Sequence, residues 1–185
     1  MKVVGLDLSL SQTGIVLINT DDIEAVFHDY KSWVVCGQKN ADATTEERIA
    51  RLVFMSDKIA AIVAECFLDA NGSDKVVGIE GQSWSRRGRI GSLGELHGAV
   101  YTKLALFLPS KTLEITPVTS IRKTVLGVGR GKLSKVEVKK TLKRCFKLTF
   151  PNDDIMDAWM VAVATGAKRC PGFLPKLYNK AEAIL

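Results

Sequence analysis

The sequence predicts an α/β fold, a mixed sheet of antiparallel and parallel strands with helices on its faces. Three observations carry this expectation. Apolar runs at residues 2–8 and 14–19 are separated only by a short polar stretch, the pattern of a hairpin. Residues 44–68 repeat apolar side chains at helical spacing. Residues 75–80 form an almost unbroken apolar run, as a strand does when helices cover both faces of a parallel sheet.

In chain order, Asp21-Asp22 turn the hairpin into a third strand at about 23–36. The helix over 44–68 carries Ile49, Leu52, Val53, Met55, Ile59, Ile62 and Val63 on its apolar side. Thr45 is its expected N-cap, and Asn71-Gly72 its end. After the strand at 75–80 come a Gly- and Arg-rich loop and a helix near 92–107. Leu113-Glu114-Ile115 is a short last strand, and Pro117 starts a helix running to about 126. Gly127-Val128-Gly129-Arg130-Gly131 is a loop, Ser134 caps a basic helix, and Pro151-Asn152 introduce the final main helix. No repeat or linker divides the chain. Residues 1–170 are expected as one domain, with 171–185 as a C-terminal tail without a decodable pattern.

Composition narrows the classes. No stretch approaches about 18 uninterrupted apolar residues, so no membrane-spanning helix is expected. The chain enters a strand pattern at once, which argues against a targeting segment and for the cytoplasm of a prokaryotic or phage-infected cell. Cys36, Cys66, Cys145 and Cys170 are widely spaced, and His28 and His97 are the only imidazoles, so reduced thiols are expected and a structural zinc site is not. The charge is uneven. Residues 122–147 carry ten basic side chains against Glu137 alone, a local +9 in a chain of net +6, which leaves −3 for the rest. Arg86-Arg87-Gly88-Arg89 form a second basic cluster. Localised positive charge is the footprint of a polyanion-binding surface; a solvated helix face is the alternative for residues 134–147.

Four acids stand where an isolated carboxylate is costly. Asp7 interrupts the first apolar run, Glu80 ends the run at 75–80, and Asp154 and Asp157 open a strongly apolar helix. Charges in such places are paired or bind a cation. No Lys or Arg lies close in sequence to Asp7 or Glu80 on its strand, so the economical reading is an oxygen cage for Mg²⁺ or Mn²⁺. Asp154 and Asp157, three apart, share a helix face, and Asp7 and Glu80 can lie side by side in the sheet centre. Two divalent ions about 3.5–4 Å apart in such a cage make a phosphodiester-cleaving site. Each acid alone has a plainer reading: a strand-end turn for Asp7, and a complement to the helix dipole for Asp153 and Asp154. Asp153 also rivals Asp154, because Asp153 and Asp157 are neighbours at i, i+4.

With these residues in view, most of residues 1–166 resembles the RuvC-type Holliday junction resolvases. Gly5-Leu6-Asp7-Leu8-Ser9 followed by Thr13-Gly14 is similar to the family's first strand and turn. Ile79-Glu80 followed by Leu93-Gly94-Glu95-Leu96-His97-Gly98 resembles its second acidic strand and dimer helix. Thr124-Val125-Leu126-Gly127-Val128-Gly129 and Asp154-Ile155-Met156-Asp157-Ala158 resemble its later segments. The resemblance implies a ribonuclease H-like fold, a homodimer, and symmetric Mg²⁺-dependent cutting of four-way DNA junctions. It implies Asp7, Glu80, Asp154 and Asp157 as metal ligands, and Arg122 and Lys132 near the scissile phosphate. It implies Trp84 as a junction wedge, for which a core or interface Trp is the alternative. Leu8 and Ser9 replace the family's usual Pro and Gly. Divergence and small size point to a bacteriophage-type version.

The expected DNA contacts are Trp84, Arg86, Arg87, Arg89, Arg122, Lys123, Arg130, Lys132 and Lys135. In the helix near 92–107, Gly94, Gly98 and Ala99 leave a shallow groove for a partner helix, with Leu93, Leu96 and Val100 as buried area; packing inside the same domain is the alternative. Other function classes remain open. A branched-DNA or RNA-directed nuclease of the same fold, or a non-catalytic nucleic-acid-binding relative, fits the same residues. An actin- or acetate-kinase-like ATPase shares the first strand and hairpin but needs a second such domain.

Overall fold

The computed structural model describes residues 1–37, 43–68, 75–81, 90–127 and 133–183. Five strands, β1 (Lys2–Asp7), β2 (Gln12–Asn19), β3 (Lys31–Cys36), β4 (Lys75–Gly81) and β5 (Leu113–Pro117), form one sheet in the order β3-β2-β1-β4-β5. β1 pairs antiparallel with β2, and β2 with β3; β1 pairs parallel with β4, and β4 with β5. The helices are α1 (Ile23–His28), α2 (Thr45–Cys66), α3 (Ile90–Ala105), α4 (Val118–Leu126), α5 (Lys135–Phe146), α6 (Asp153–Arg169) and α7 (Phe173–Ala183).

The period of two along each strand sends alternate residues to opposite layers. Val4, Leu6, Leu8, Ile15, Val77 and Ile79 face Met55, Ile59 and Val63 of α2 and Leu96, Val100 and Leu104 of α3. Val3, Val16 and Ile18 face a second core built on α6, with α1, α4, α5 and α7 around it. Its centre is Trp159, fully buried, whose indole N–H donates to the Val26 carbonyl at 3.0 Å. A buried indole donor without a partner would be costly, so this bond fixes α1 against α6.

Several expectations are corrected. Residues 23–28 are helical, not the start of β3. Asp22 accepts from the Ala25 amide at 3.0 Å, an N-cap bond that starts a helix where the apolar run suggested a strand. Thr44, not Thr45, caps α2 through a capping box with Glu47. The apolar side of α2 is narrower than its sequence stripe: Ile49 is 56% and Val53 48% exposed, because α3 and the sheet cover only the Met55–Ile59–Val63 side. Leu96 and Val100 are fully buried in their own domain and supply no area to a partner. The stretch expected as a tail contains α7, whose Phe173, Leu177 and Ala181 join the α6 core. The Tyr178 hydroxyl ties α7 to the Thr124 and Val125 carbonyls at 3.2 and 3.0 Å. Ser134 caps α5 as expected, and Asn152 is the N-cap of the helix that Pro151-Asn152 introduce. Asn71-Gly72 lie outside the described residues. Among those described, no helix is long and apolar enough to cross a membrane.

α6 reaches the sheet because glycine removes side chains from its path. A Cβ added at Gly5 would stand 2.1 Å from the Ala158 carbonyl oxygen and 2.5 Å from the Ala162 nitrogen. Gly78, the register partner of Gly5, makes room instead for a side chain of α6, that of Thr165. The helix backbone therefore lies directly on β1, with the Thr165 side chain seated against β4, and its first turn projects over the C-terminal ends of both strands.

Candidate active site

Two carboxylates come from the sheet. In the parallel pairing of β1 and β4, Leu6 stands beside Ile79, so the next residues, Asp7 and Glu80, emerge together. The period of two puts both on the α6 side. The other two come from α6. Gly14, the register partner of Asp7, leaves room for the Asp154 carbonyl, 2.1 Å from where a Gly14 Cβ would be. That contact brings the first turn of α6 down beside Asp7.

The result is a cleft of about 270 Å³ lined by Asp7, Glu80, Asp154 and Asp157, with Ser9, Arg122 and Lys135 as its other polar groups. Val118, Ile121 and Met160 form an apolar wall. Ser9 is held by the turn between β1 and β2: its amide donates to Thr13 Oγ1 at 3.2 Å, and the Thr13 hydroxyl donates to the Ser9 carbonyl at 3.0 Å. Arg122 Nη1 donates to the Leu133 carbonyl at 3.2 Å, which ties α4 to the residue before the α5 cap. Its buried Nε has no hydrogen-bond partner among the described residues.

Asp153 and Asp154 point to different surroundings. Asp154 lines the cleft; Asp153 turns to α5, where Lys139 Nζ lies 2.5 Å from its Oδ1. This hydrogen bond holds the Asp153 carboxyl below the usual range. Asp157, the most buried of the four, takes the Lys135 ammonium at 2.9 Å, and the same Nζ is 3.9 Å from Asp153. Burial works against the charged form of Lys135, but the bond to Asp157 and the charges of Asp157, Asp153 and Asp7 outweigh it and raise its pKa.

The two strand carboxylates are strongly perturbed. Burial first, then the charges of Glu80 and Asp157, push Asp7 up to about 8, with Lys135 opposing. Burial and Asp157 push Glu80 up to about 7, against Arg122 and Lys135. Burial also raises Asp154. Such groups bind more protons folded than unfolded between their two pKa values, so folding stability falls as pH rises through that window. The window runs from 3.8 to about 8 for Asp7 and from 4.5 to about 7 for Glu80. The melting temperature of metal-free protein is therefore expected to fall across this range, and saturating Mg²⁺ to flatten the slope. A metal-free melting temperature that rises with pH there would contradict the electrostatics of the cleft.

The donor set suits a hard divalent cation: four carboxylates around one opening, with the charged forms of Asp7 and Glu80 opposed by burial and by their acidic neighbours. Among the described residues, no three acidic, histidine or cysteine side chains are already gathered closely enough to hold an ion. The carboxylates share the cleft without forming a finished cage, and Lys135 stands among them.

Of the expected DNA contacts, Arg122 and Lys135 line the cleft, and Lys123 is exposed on α4. Trp84, Arg86, Arg87, Arg89, Arg130 and Lys132 lie outside the described residues. Sequence reasoning missed the positioning role of Gly5, Gly14 and Gly78. Glycine inside a strand signals close backbone approach, and that signal was present.

No protein-family profile matches the chain, and no curated protein matches it. Solved structures do. RuvC of Thermus thermophilus in complex with a Holliday junction substrate superimposes with a TM-score of 0.64 at 18% identity, covering 94% of this chain and 97% of that one. A second Thermus thermophilus RuvC structure gives 0.59 at 19% identity, with 94% and 98% covered. The yeast mitochondrial Holliday junction resolvase Ydc2 gives 0.50 at 17% identity, with 99% and 84% covered. These sources lend no support to a bacteriophage origin. The mixed five-stranded sheet, its parallel β1-β4-β5 half and the flanking helices give this chain the ribonuclease H-like fold of the RuvC-type Holliday junction resolvases.

Proposed function

We propose that the protein is a divalent-metal-dependent endodeoxyribonuclease that resolves four-way DNA junctions by paired nicks on opposing strands. The observation that carries this reading is the convergence of Asp7, Glu80, Asp154 and Asp157 on one cleft beside a helix as basic as α5. The fold shared with a RuvC bound to a Holliday junction supports the choice of substrate.

Asp7, Glu80, Asp154 and Asp157 would hold Mg²⁺, or Mn²⁺ in its place, as two ions that let four carboxylates stay charged together. When bound, the ions supply water activation and charge neutralisation at the scissile phosphate. The chain's own residues do the rest. Asp7 and Glu80 are fixed by strand pairing, so their spacing does not depend on side-chain freedom. Asp154 and Asp157 are fixed by the contact of α6 with Gly5 and Gly14. Arg122, anchored at the Leu133 carbonyl, presents positive charge to a phosphate entering the cleft. Lys123, Lys139, Lys140, Lys143 and Arg144 are exposed and extend that charge for backbone contacts outside it. Contacts of this kind favour shape and deformability over base identity.

A homodimer completes the reading, since a two-fold axis matches the near two-fold symmetry of a four-way junction. α2 and α3 are joined by the Arg48–Glu95 and Lys103–Asp57 ion pairs at 3.2 and 2.6 Å, and α2 leaves Ile49, Val53 and Phe54 exposed. On α3, Gly98 opens on empty space: an added Cβ there meets nothing within 4 Å. Gly98→Leu is thus expected to leave the melting temperature of the single chain nearly unchanged, while sedimentation shifts from dimer to monomer and paired incision is lost. An undisturbed dimer would remove α3 from the interface.

The substrate is tested on a panel of synthetic four-way junction, flap and duplex DNA with Mg²⁺. Symmetric nicks on opposing strands of the junction, faster than any cut in duplex, are expected. Equal cutting of all substrates would leave a nuclease without junction selectivity. One observation favours a second reading, a non-catalytic nucleic-acid-binding relative: Lys135 is ion-paired inside the cleft.

A further inference from the structure

We propose that Lys135 is a tethered counter-cation of the carboxylate cleft, seated at Asp157 while no divalent ion is bound and displaced when one binds. The inference rests on the metal-site reading above and concerns what this chain adds to it. Lys135 is the first residue of α5, directly after the Ser134 cap. A lysine there opposes the positive end of the helix dipole, where acidic residues are favoured. A residue that breaks a local rule needs a gain elsewhere. Here the gain is the cleft: Lys135 Nζ lies 2.9 Å from Asp157 Oδ2, and the Asp157 side chain is only 12% exposed.

The neighbouring pair separates this role from simple helix docking. Lys139 follows one turn later on α5 and meets Asp153, which stands one turn before Asp157 on α6. Lys139–Asp153 joins the two helices without lining the cleft, whereas Lys135 lines it beside Asp7, Glu80 and Asp154. A monovalent ammonium and a divalent ion cannot both sit at the Asp157 carboxylate at full strength, because the like charges repel. Metal binding therefore has to move Lys135. Its side chain is half-exposed, so it has solvent to swing into, at the mouth where a phosphate would enter. Lys135 lowers the affinity for the ion in the absence of DNA, keeps the empty cleft neutralised, and is freed for the nucleic acid once the ion is in place.

The test uses full-length protein without DNA. Mg²⁺ binding is measured by calorimetry, and melting is followed with and without Mg²⁺, for the wild type, Lys135→Met, Lys135→Arg and Lys139→Met. Lys135→Met is expected to bind Mg²⁺ about tenfold more tightly, to melt lower without metal, and to gain more from Mg²⁺ than the wild type. If it is unfolded without metal, folding on Mg²⁺ addition reports the same result. Lys135→Arg and Lys139→Met should keep the wild-type Mg²⁺ affinity. Mg²⁺ binding by wild type and Lys135→Met with equal affinity would overturn the inference and leave the metal site standing. Equal loss of stability with and without Mg²⁺ would overturn it too, and make Lys135 a structural residue. No Mg²⁺ binding by either protein would overturn both the inference and the metal site.

Discussion

Asp7→Asn is expected to abolish cleavage and, at the same time, to raise the melting temperature of the metal-free protein. The two effects share one cause. Asp7 is buried beside Glu80, Asp157 and Asp154, and its carboxyl is pushed up to about 8. A neutral amide of the same shape removes the burial cost of a charge and its repulsion from three neighbours. It also removes the proposed ligand that no other side chain on β1 can replace. Loss of roughly 4 kcal/mol of charge stabilisation corresponds to a cleavage rate about a thousandfold lower. Junction binding should survive, since Asp7 contacts no phosphate in this reading. Glu80→Gln is expected to act in the same direction with a smaller stability gain, as its carboxyl is raised less, to about 7. An Asp7→Asn protein that cuts at the wild-type rate would remove Asp7 from the site; one that is inactive and also less stable would make Asp7 a structural residue.

Gly5→Ala is expected to be among the most damaging conservative changes in the chain. The added methyl would meet the Ala158 carbonyl oxygen and the Ala162 nitrogen, both backbone atoms that cannot rotate away. α6 must lift from β1, and with it the core around Trp159 and the position of Asp154 and Asp157. Overpacking of this kind costs roughly 3 kcal/mol, and for a domain of this length that lowers the melting temperature by about 6–12 °C. Any folded fraction should cut poorly because its α6 carboxylates are displaced. A variant with unchanged melting and full activity would refute the close seating of α6 on the sheet.

The strands and the acidic pairs were legible because their signals are local. Asp7 and Glu80 interrupt or end apolar runs, and parallel pairing of those runs places them side by side. Short helices were not legible in the same way. α1 has six residues, and its Val26 and Phe27 read as strand until Asp22 is recognised as a cap. α7 carried a signal that went unread: Phe173, Leu177 and Ala181 recur every four residues and are all buried. The α3 face was legible as apolar but not as to its partner, and Leu96 and Val100 turned out to pack under α2 within the same chain. Lys135 counted in the sequence as one positive charge among ten. Only the docking of α5 on α6 places its ammonium at Asp157, and no spacing rule connects residues so placed on separate helices.

The four carboxylates are proposed to form a metal-dependent phosphodiester-cutting site. This is tested most directly by incubating a four-way junction with the wild-type protein and with Glu80→Gln, each in Mg²⁺ and in EDTA, and mapping the cut strands. Nicks are expected with wild type in Mg²⁺ only, and junction binding without nicks in the other three reactions. Cutting that persists in EDTA or in Glu80→Gln, or an intact junction bound by wild type in saturating Mg²⁺, would contradict it.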